Sequence, residues 1–360
     1  MTRARSHIAA MSPYALAAIE PPVGKPLISL SQNESLRSPS PRALEAAART
    51  LWDGALYPDP DWTALRASLA EIHDIDVSGI LCGTGSLDLI GSIARVYAGP
   101  DRAVLAPTHA YPFFRTATQM ANARFDTADE TDAVVNVDAL LAAVKTDTGL
   151  VFVANPGNPT GTRISRSELL RLRSGLRQDI LLVIDEAYGE FSDHFGERCF
   201  DMVAEENVVV LRTFSKAYGM AGFRVGWGLF PTVIAAELRK VLNPNNVAAA
   251  SQAAAVAALS DQSYMRVTCD LTVALREKAT DDLRAAGFQV LPSYTNFVLL
   301  DLGSEEQASS IDAALRAKGV FLRRQGGAGL PHMLRMTIGP RDAMDTAVSL
   351  MTKLKKEQTL

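Results

Sequence analysis

The chain has 360 residues, 48% of them apolar and 21% charged, with 36 Lys and Arg against 40 Asp and Glu. That length predicts about two domains, and that composition excludes a disordered chain, a collagen-like repeat and a coiled-coil rod. A net charge of -4 supplies no basic face for a phosphate backbone, so no nucleic-acid partner is expected. No apolar run approaches the ~20 residues that cross a bilayer, so no membrane partner is expected either. The segment Met1 to Ala10 carries Arg3 and Arg5 but lacks the apolar core of a signal peptide, and a cytoplasmic protein is expected. Cys82, Cys199 and Cys269 are odd in number and far apart, and His7, His73, His109, His194 and His332 show no ligand spacing. Neither a disulfide framework nor a metal site is expected.

Residues 1–42 are rich in Pro and Ser, with Pro21, Pro22, Pro26, Pro39 and Pro41 keeping the chain extended. They read as an arm lying on the body. An Ala-rich helix, Arg42 to Trp52, is followed by the turn Tyr57-Pro-Asp-Pro-Asp61 and a second helix, Trp62 to His73. Short apolar runs then alternate with amphipathic stretches: Ile80–Cys82, Ala103–Ala106, Leu150–Ala154, Ile180–Ile184 and Val208–Leu211, with Val225–Phe230 as a sixth strand. Near-continuous apolar strands separated by helices predict an α/β fold, a mostly parallel sheet sandwiched by helices. After residue 236 a long helical region, Asn246 to Ala286, contains the Ala-rich stretch Val247–Leu259, which reads as a buried or interface helix. Strands follow at Phe288–Leu291, Asn296–Asp301, Gly319–Arg323 and Leu334–Ile338. The chain therefore divides into an arm (1–42), a large unit (43–236) and a smaller α/β unit (237–360).

In open α/β sheets ligands bind beyond the carboxyl ends of the strands, so the residues just after each run deserve inspection. Gly83-Thr-Gly-Ser86 opens a helix whose backbone N–H groups suit a phosphate, although taken alone it is more simply a tight turn. It is neither a P-loop nor a full dinucleotide fingerprint, because Asp88 stands where the third Gly belongs. The cluster Asn155-Pro-Gly-Asn-Pro-Thr-Gly161 is a turn by composition, and it also presents Asn158. Asp185 ends a buried strand, where a carboxylate is costly unless paired with a metal, an Arg or a protonated ring nitrogen, or spent as a helix cap. A lone lysine is ordinarily a solvated surface group. Lys216, however, follows a strand end between hydroxyl residues, with Arg224 eight residues on, which suits an imine-forming nucleophile of lowered pKa.

Taken together, Asn155 to Gly161, Val183-Ile-Asp-Glu-Ala-Tyr188 and Leu211-Arg-Thr-Phe-Ser-Lys-Ala-Tyr-Gly-Met-Ala-Gly-Phe-Arg224 closely resemble three ordered motifs of the fold-type I pyridoxal-phosphate aminotransferases. Asn33-Glu34, Tyr57-Pro-Asp-Pro60, Gly83 to Ser86, Pro292-Ser-Tyr-Thr-Asn-Phe297 and Gly329-Leu-Pro-His-Met-Leu-Arg335 are similar to the histidinol-phosphate aminotransferase branch. The resemblance runs from about residue 28 to residue 350.

It implies pyridoxal 5'-phosphate as cofactor, with Lys216 as the Schiff-base lysine and proton shuttle. Asp185 would face the pyridine N–H, and Asn158 and Tyr188 the ring oxygen. Ser86, Leu87, Thr213, Ser215 and Arg224 would hold the phosphate, with Tyr57 reaching in from the neighbouring subunit of a homodimer. Arg335, Arg323 and Asn33 would meet the substrate, and His109 would lie on the ring face.

Some positions depart from the pattern. His109 replaces an aromatic Phe or Tyr, Leu87 an Asp, Asn245 a Tyr and Ala328 a Tyr, and Asn33-Glu-Ser-Leu36 lacks an Asn-Pro. The implied activity is amino transfer between an amino donor (histidinol phosphate or an aromatic amino acid) and a 2-oxo acid, by ping-pong half-reactions. The competing activity is a lyase or decarboxylase on the same scaffold, since the same electron sink serves either bond cleavage. A non-catalytic cofactor-binding sensor would lack the lysine that stands at 216.

Overall fold

The computed structural model describes residues 2–13, 19–193, 196–205 and 207–358; His194 and residues 14–18 of the arm lie outside them. The first strand, β1 (Ile28–Ser29), belongs to the arm. Seven strands then build the large sheet: β2 (Ile80–Gly83), β3 (Ala103–Pro107), β4 (Phe125–Ala128), β5 (Thr148–Ala154), β6 (Leu181–Asp185), β7 (Val208–Thr213) and β8 (Gly226–Leu229). Their spatial order is β2-β8-β7-β6-β5-β3-β4. The pairs from β7 through β6, β5 and β3 to β4 are parallel, whereas β8 runs antiparallel to both β7 and β2. Helices such as Ser86–Tyr97 and Arg166–Gly175 turn buried apolar faces toward the sheet. With helices packed against it, the sheet's strands read as unbroken apolar runs, and β6 is buried along its whole length.

Two features of this sheet depart from the sequence expectation. β4 was not anticipated: it is an edge strand of sequence Phe-Asp-Thr-Ala, mostly half-buried, too short and too polar to stand out as an apolar run. β8 falls inside the predicted Val225–Phe230 strand but enters from the opposite direction, which brings its first residue to the edge where β2, β6 and β7 end. Gly226 pairs with Thr213 on one side and Gly83 on the other.

The remaining strands are β9 (Gln289–Val290), β10 (Phe297–Asp301), β11 (Val320–Phe321), β12 (Arg323–Gln325) and β13 (Leu330–Thr337). The predicted Gly319–Arg323 strand is thus two short strands. β12, β13, β10 and β9 form an antiparallel sheet in that order, while β11 pairs in parallel with β1 of the arm. Leu30, just after β1, sits in an apolar cluster with Val298, Leu300, Leu334 and Met336.

The predicted helical region Asn246–Ala286 is two helices, Ala249–Ser260 and Gln262–Ala285, separated at Asp261. Ala254, Ala255, Ala258 and Leu259 of the first belong to the larger apolar cluster, with Ala43 and Ala47 of the helix Pro41–Thr50. The larger apolar cluster therefore continues beyond residue 236, through Met265 and Cys269 to Phe297 of β10. No helix of the described residues is long and apolar enough to cross a membrane.

Candidate active site

A cavity of about 360 Å³ opens at the carboxyl ends of β2, β5, β6 and β7, between the large sheet and the hairpin of β12 and β13. Its wall collects Asn33, Ser86, Leu87, Asn158, Asp185, Tyr188, Thr213, Ser215, Lys216, Arg224, Arg323 and Arg335. Twelve candidates dispersed over three hundred residues of chain thus meet in one place. The sheet register explains part of this. Ala154, Asp185 and Leu211 stand side by side across β5, β6 and β7, so the loops that follow present Asn158, Tyr188 and Lys216 at the same edge.

One end of the cavity is built around a helix start. The helix Ser86–Tyr97 starts at Gly85, which adopts φ +87° and supplies no side-chain cap, so the first N–H groups of the helix face the cavity edge. A Cβ on Gly226 would lie 2.3 Å from the Ser86 nitrogen; only a glycine lets β8 pass so close beneath the helix start. Arg224, in the left-handed region at φ 51°, turns its guanidinium toward this end and donates to Ser215 Oγ (3.4 Å), Ala221 O (3.1 Å) and Thr84 O (3.3 Å). Thr213 Oγ1 donates to Ser215 Oγ at 3.1 Å, aligning two hydroxyls beside it.

Asp185 is buried and Lys216 half-buried in the cavity wall. Burial, assisted by the positive charges of Arg335 and Arg224, pulls the Lys216 amine down to about 7. Burial pushes the Asp185 carboxyl up to about 7, with the neighbouring Glu186 charge adding to it and the Ala187 N–H (3.0 Å) and Lys216 opposing it. An amine that is neutral near pH 7 is a nucleophile, and a strand-end carboxylate held out of water pairs with a cationic ring N–H.

The arm closes one side. Asn33, at φ 54°, is tied through every polar group: its N–H donates to Thr337 Oγ1 (2.9 Å), its Nδ2 to Tyr188 Oη (2.8 Å), and its carbonyl accepts from Lys216 Nζ (2.9 Å) and Asn296 Nδ2 (3.1 Å). Asn is among the few residue types other than glycine that adopt this backbone readily. Arg335 of β13 donates to Asn158 Oδ1 (2.5 Å) and to Ser31 O (3.0 Å), joining the small sheet, the β5 loop and the arm.

Two candidates are placed elsewhere. His109 does not line the cavity: its Nδ1 lies 2.8 Å from Ala328 O, and its backbone N–H donates to the buried carboxylate of Glu130 (3.2 Å). Tyr111 and Pro112 take that stretch of wall instead. Tyr57 is 87% exposed and does not line the cavity of its own chain. Gln32, Glu34, Tyr111 and Gln325 also line the cavity and were not anticipated. Position offered a signal for two of them. Tyr111 lies just past the carboxyl end of β3, and Gln325 is two residues from Arg323 on a strand, hence on the same face.

Residues 25–350 match the family described as aminotransferase class I and II. The chain belongs to that family. Among relatives of this aminotransferase is the histidinol-phosphate aminotransferase of Erythrobacter litoralis, 42% identical over 327 residues, covering 89% of each chain. The enzyme of the same name from a Ruegeria species is 40% identical and covers 91% of this chain and 90% of its own. A solved structure, histidinol-phosphate aminotransferase from Sinorhizobium meliloti in complex with pyridoxal-5'-phosphate, superposes with a TM-score of 0.93 at 29% identity and covers 99% of both chains. The fold is that of the fold-type I aminotransferases, as expected. All three relatives are aminotransferases, and the lyase alternative gains no support from them.

Proposed function

We propose that this aminotransferase uses pyridoxal 5'-phosphate to move the amino group of histidinol phosphate to a 2-oxo acid. The observation that carries the reading is the single cavity in which Lys216 and Asp185 meet anion-binding groups from two directions. Ser86, Leu87 and Arg224 come from the large sheet, Arg323 and Arg335 from the small one. The residues fit the cofactor. The glycine-lined helix start accepts a phosphate, and the buried Asp185 carboxyl, whose one side-chain hydrogen bond is from Ala187 N, suits a ring N–H. When bound, pyridoxal phosphate supplies an aldehyde that condenses with amines and a ring that accepts electrons from the substrate carbon. Ser86, Leu87, Thr213, Ser215 and Arg224 hold the phosphate, while Asn158 and Tyr188 donate toward the ring oxygen. Lys216 Nζ is the nucleophile and then carries a proton to and from the substrate carbon. Arg335 and Arg323 supply guanidinium forks for the phosphate of the donor and for the carboxylate of the acceptor, which take turns in the cavity.

The homodimer, with Tyr57 completing the partner's site, is part of the same proposal. Leu51, Trp52, Leu56 and Tyr57 are exposed together beside an apolar groove lined by Ala46, Ala64, Ile72, Ala253 and Val256, which supports it. So are a cytoplasmic location and a division into arm, cofactor-holding unit and smaller unit; the separation of the large sheet's apolar cluster from that of Val298, Leu300, Leu334 and Met336 supports the division.

The test is Lys216→Ala in purified protein. The wild type is expected to show the visible absorption of bound cofactor and to turn over histidinol phosphate with 2-oxoglutarate, and the variant to lose both. Survival of both overturns the reading. Faster turnover of Phe or Tyr than of histidinol phosphate overturns the substrate alone.

A further inference from the structure

Directly behind Asp185 lies a buried ionic cluster that none of the steps above uses. Its centre is Arg212 of β7, 1% exposed. Arg212 Nε donates to Glu186 Oε2 (2.9 Å), and its two terminal nitrogens donate to the Asp193 carboxylate (3.1 and 2.9 Å). Glu190 Oε1 stands 3.4 Å from Nη1, and the Phe200 ring lies 5.1 Å from the guanidinium carbon. A Cβ on Gly189 would fall 2.4 Å from that carbon, so the backbone there is bare to admit the fork.

The connectivity is what gives this cluster a bearing on the site. Its three carboxylates, Glu186, Glu190 and Asp193, all come from the segment that runs on from Asp185 through Tyr188. Arg212 immediately precedes Thr213 and is four residues before Lys216. One guanidinium therefore fastens the segment bearing the site's carboxylate and phenol to the segment bearing its amine. A buried fork with two carboxylates is directional in a way a packed apolar contact is not.

Charge gives it a second effect. Facing Glu186 are Arg212, Asp193 and Cys199; facing Asp193 are also Arg198 and His73. Facing Asp185 are Glu186 and Lys216, and facing Lys216 are Arg335, Glu34, Arg224 and Asp185. Glu186 is the negative neighbour of Asp185, and Arg212 is the cation against it.

We propose that Arg212 is a positioning residue for the active site, fixing Asp185 and Lys216 relative to each other and cancelling the Glu186 charge beside Asp185. The inference rests on the cofactor reading above. Its test is the pH titration of the visible absorption of the cofactor-loaded protein, because a residue that only stabilises the fold would not move the midpoint in a charge-dependent direction. Arg212→Met exposes Asp185 to the Glu186 charge and is expected to raise the midpoint by roughly half a unit or more. Glu186→Gln keeps an oxygen for Arg212 Nε, removes the charge and is expected to lower it. The double variant is expected to return toward wild type, and Arg212→Lys, which keeps the charge but loses the fork, to leave the midpoint near wild type while lowering turnover. Should Arg212→Met fail to fold, the lowered midpoint of Glu186→Gln together with the unmoved midpoint and lowered turnover of Arg212→Lys still decides. An unmoved midpoint in Glu186→Gln, or shifts of the same sign in both single variants, overturns the proposal with the cofactor reading intact. A wild-type protein without the absorption overturns both.

Discussion

Asp185 and Lys216 are drawn toward the same pH from opposite sides, because each loses water and neither has a full-strength counter-ion in the cofactor-free chain. The consequences for stability have opposite signs. From the ordinary carboxylate value up to about 7, folded Asp185 holds a proton that the unfolded chain has released, so its contribution to stability falls as pH rises through that window. From about 7 up to the ordinary amine value, the unfolded chain holds a proton that folded Lys216 lacks, so stability rises with pH. Asp185→Asn removes the first effect. The cofactor-free variant is expected to melt at a higher temperature than wild type at pH 8 and at the same temperature near pH 4, while losing turnover when loaded; a lower melting temperature at pH 8 would refute the burial argument. Asp185 and Lys216 were legible in the sequence because an acid or amine at the end of an apolar run is anomalous. Glu34 and Gln325 were not, since a polar residue in an arm or a short strand is ordinary until the fold brings it to a wall. His109 was misplaced for a related reason: sequence position puts it at the end of β3, but its Nδ1 has a carbonyl partner in Ala328 that only tertiary structure supplies.

At the scale of elements, the junction of β8 with the helix Ser86–Tyr97 carries the cofactor argument. The clash built at Gly226 is with backbone, the Ser86 nitrogen and Gly85 carbonyl carbon (2.6 Å), and cannot be relieved by a rotamer change. Gly226→Ala is expected to cost about 1 to 3 kcal/mol in stability and to weaken cofactor binding, read by thermal melts and by cofactor titration. Gly222→Ala, where a Cβ meets nothing within 4 Å, is the matched control and is expected to leave cofactor binding unchanged. Equal effects at the two positions would dismiss the cradle. The buried strands of the large sheet were readable because burial on both faces leaves apolar runs. The direction of β8 was not, because parallel and antiparallel central strands carry the same residues. Nor was the interruption at Asp261, a single residue whose backbone leaves the helical region (φ -111°, ψ 52°) between two helices.

For the whole molecule, the exposed run around Trp52, itself 93% exposed, has no partner within its own protomer that would bury it. On the proposed homodimer, Trp52→Glu is expected to shift the protein toward monomer in sedimentation velocity and to weaken cofactor retention, since Tyr57 would then lose the neighbouring site; an unchanged sedimentation profile would overturn that contact. The pairing of β1 with β11 has another consequence. Ile28 bonds beside Val320, and Asn33, a few residues on, supplies the carbonyl that receives the Lys216 amine. During translation β1 leaves the ribosome long before β11, and the two can pair only once everything between them has been made. A nascent chain can complete the seven-stranded sheet by residue 229 and still lack the wall that seals its reaction chamber. Competence thus waits on a contact between two segments that the ribosome delivers far apart in time.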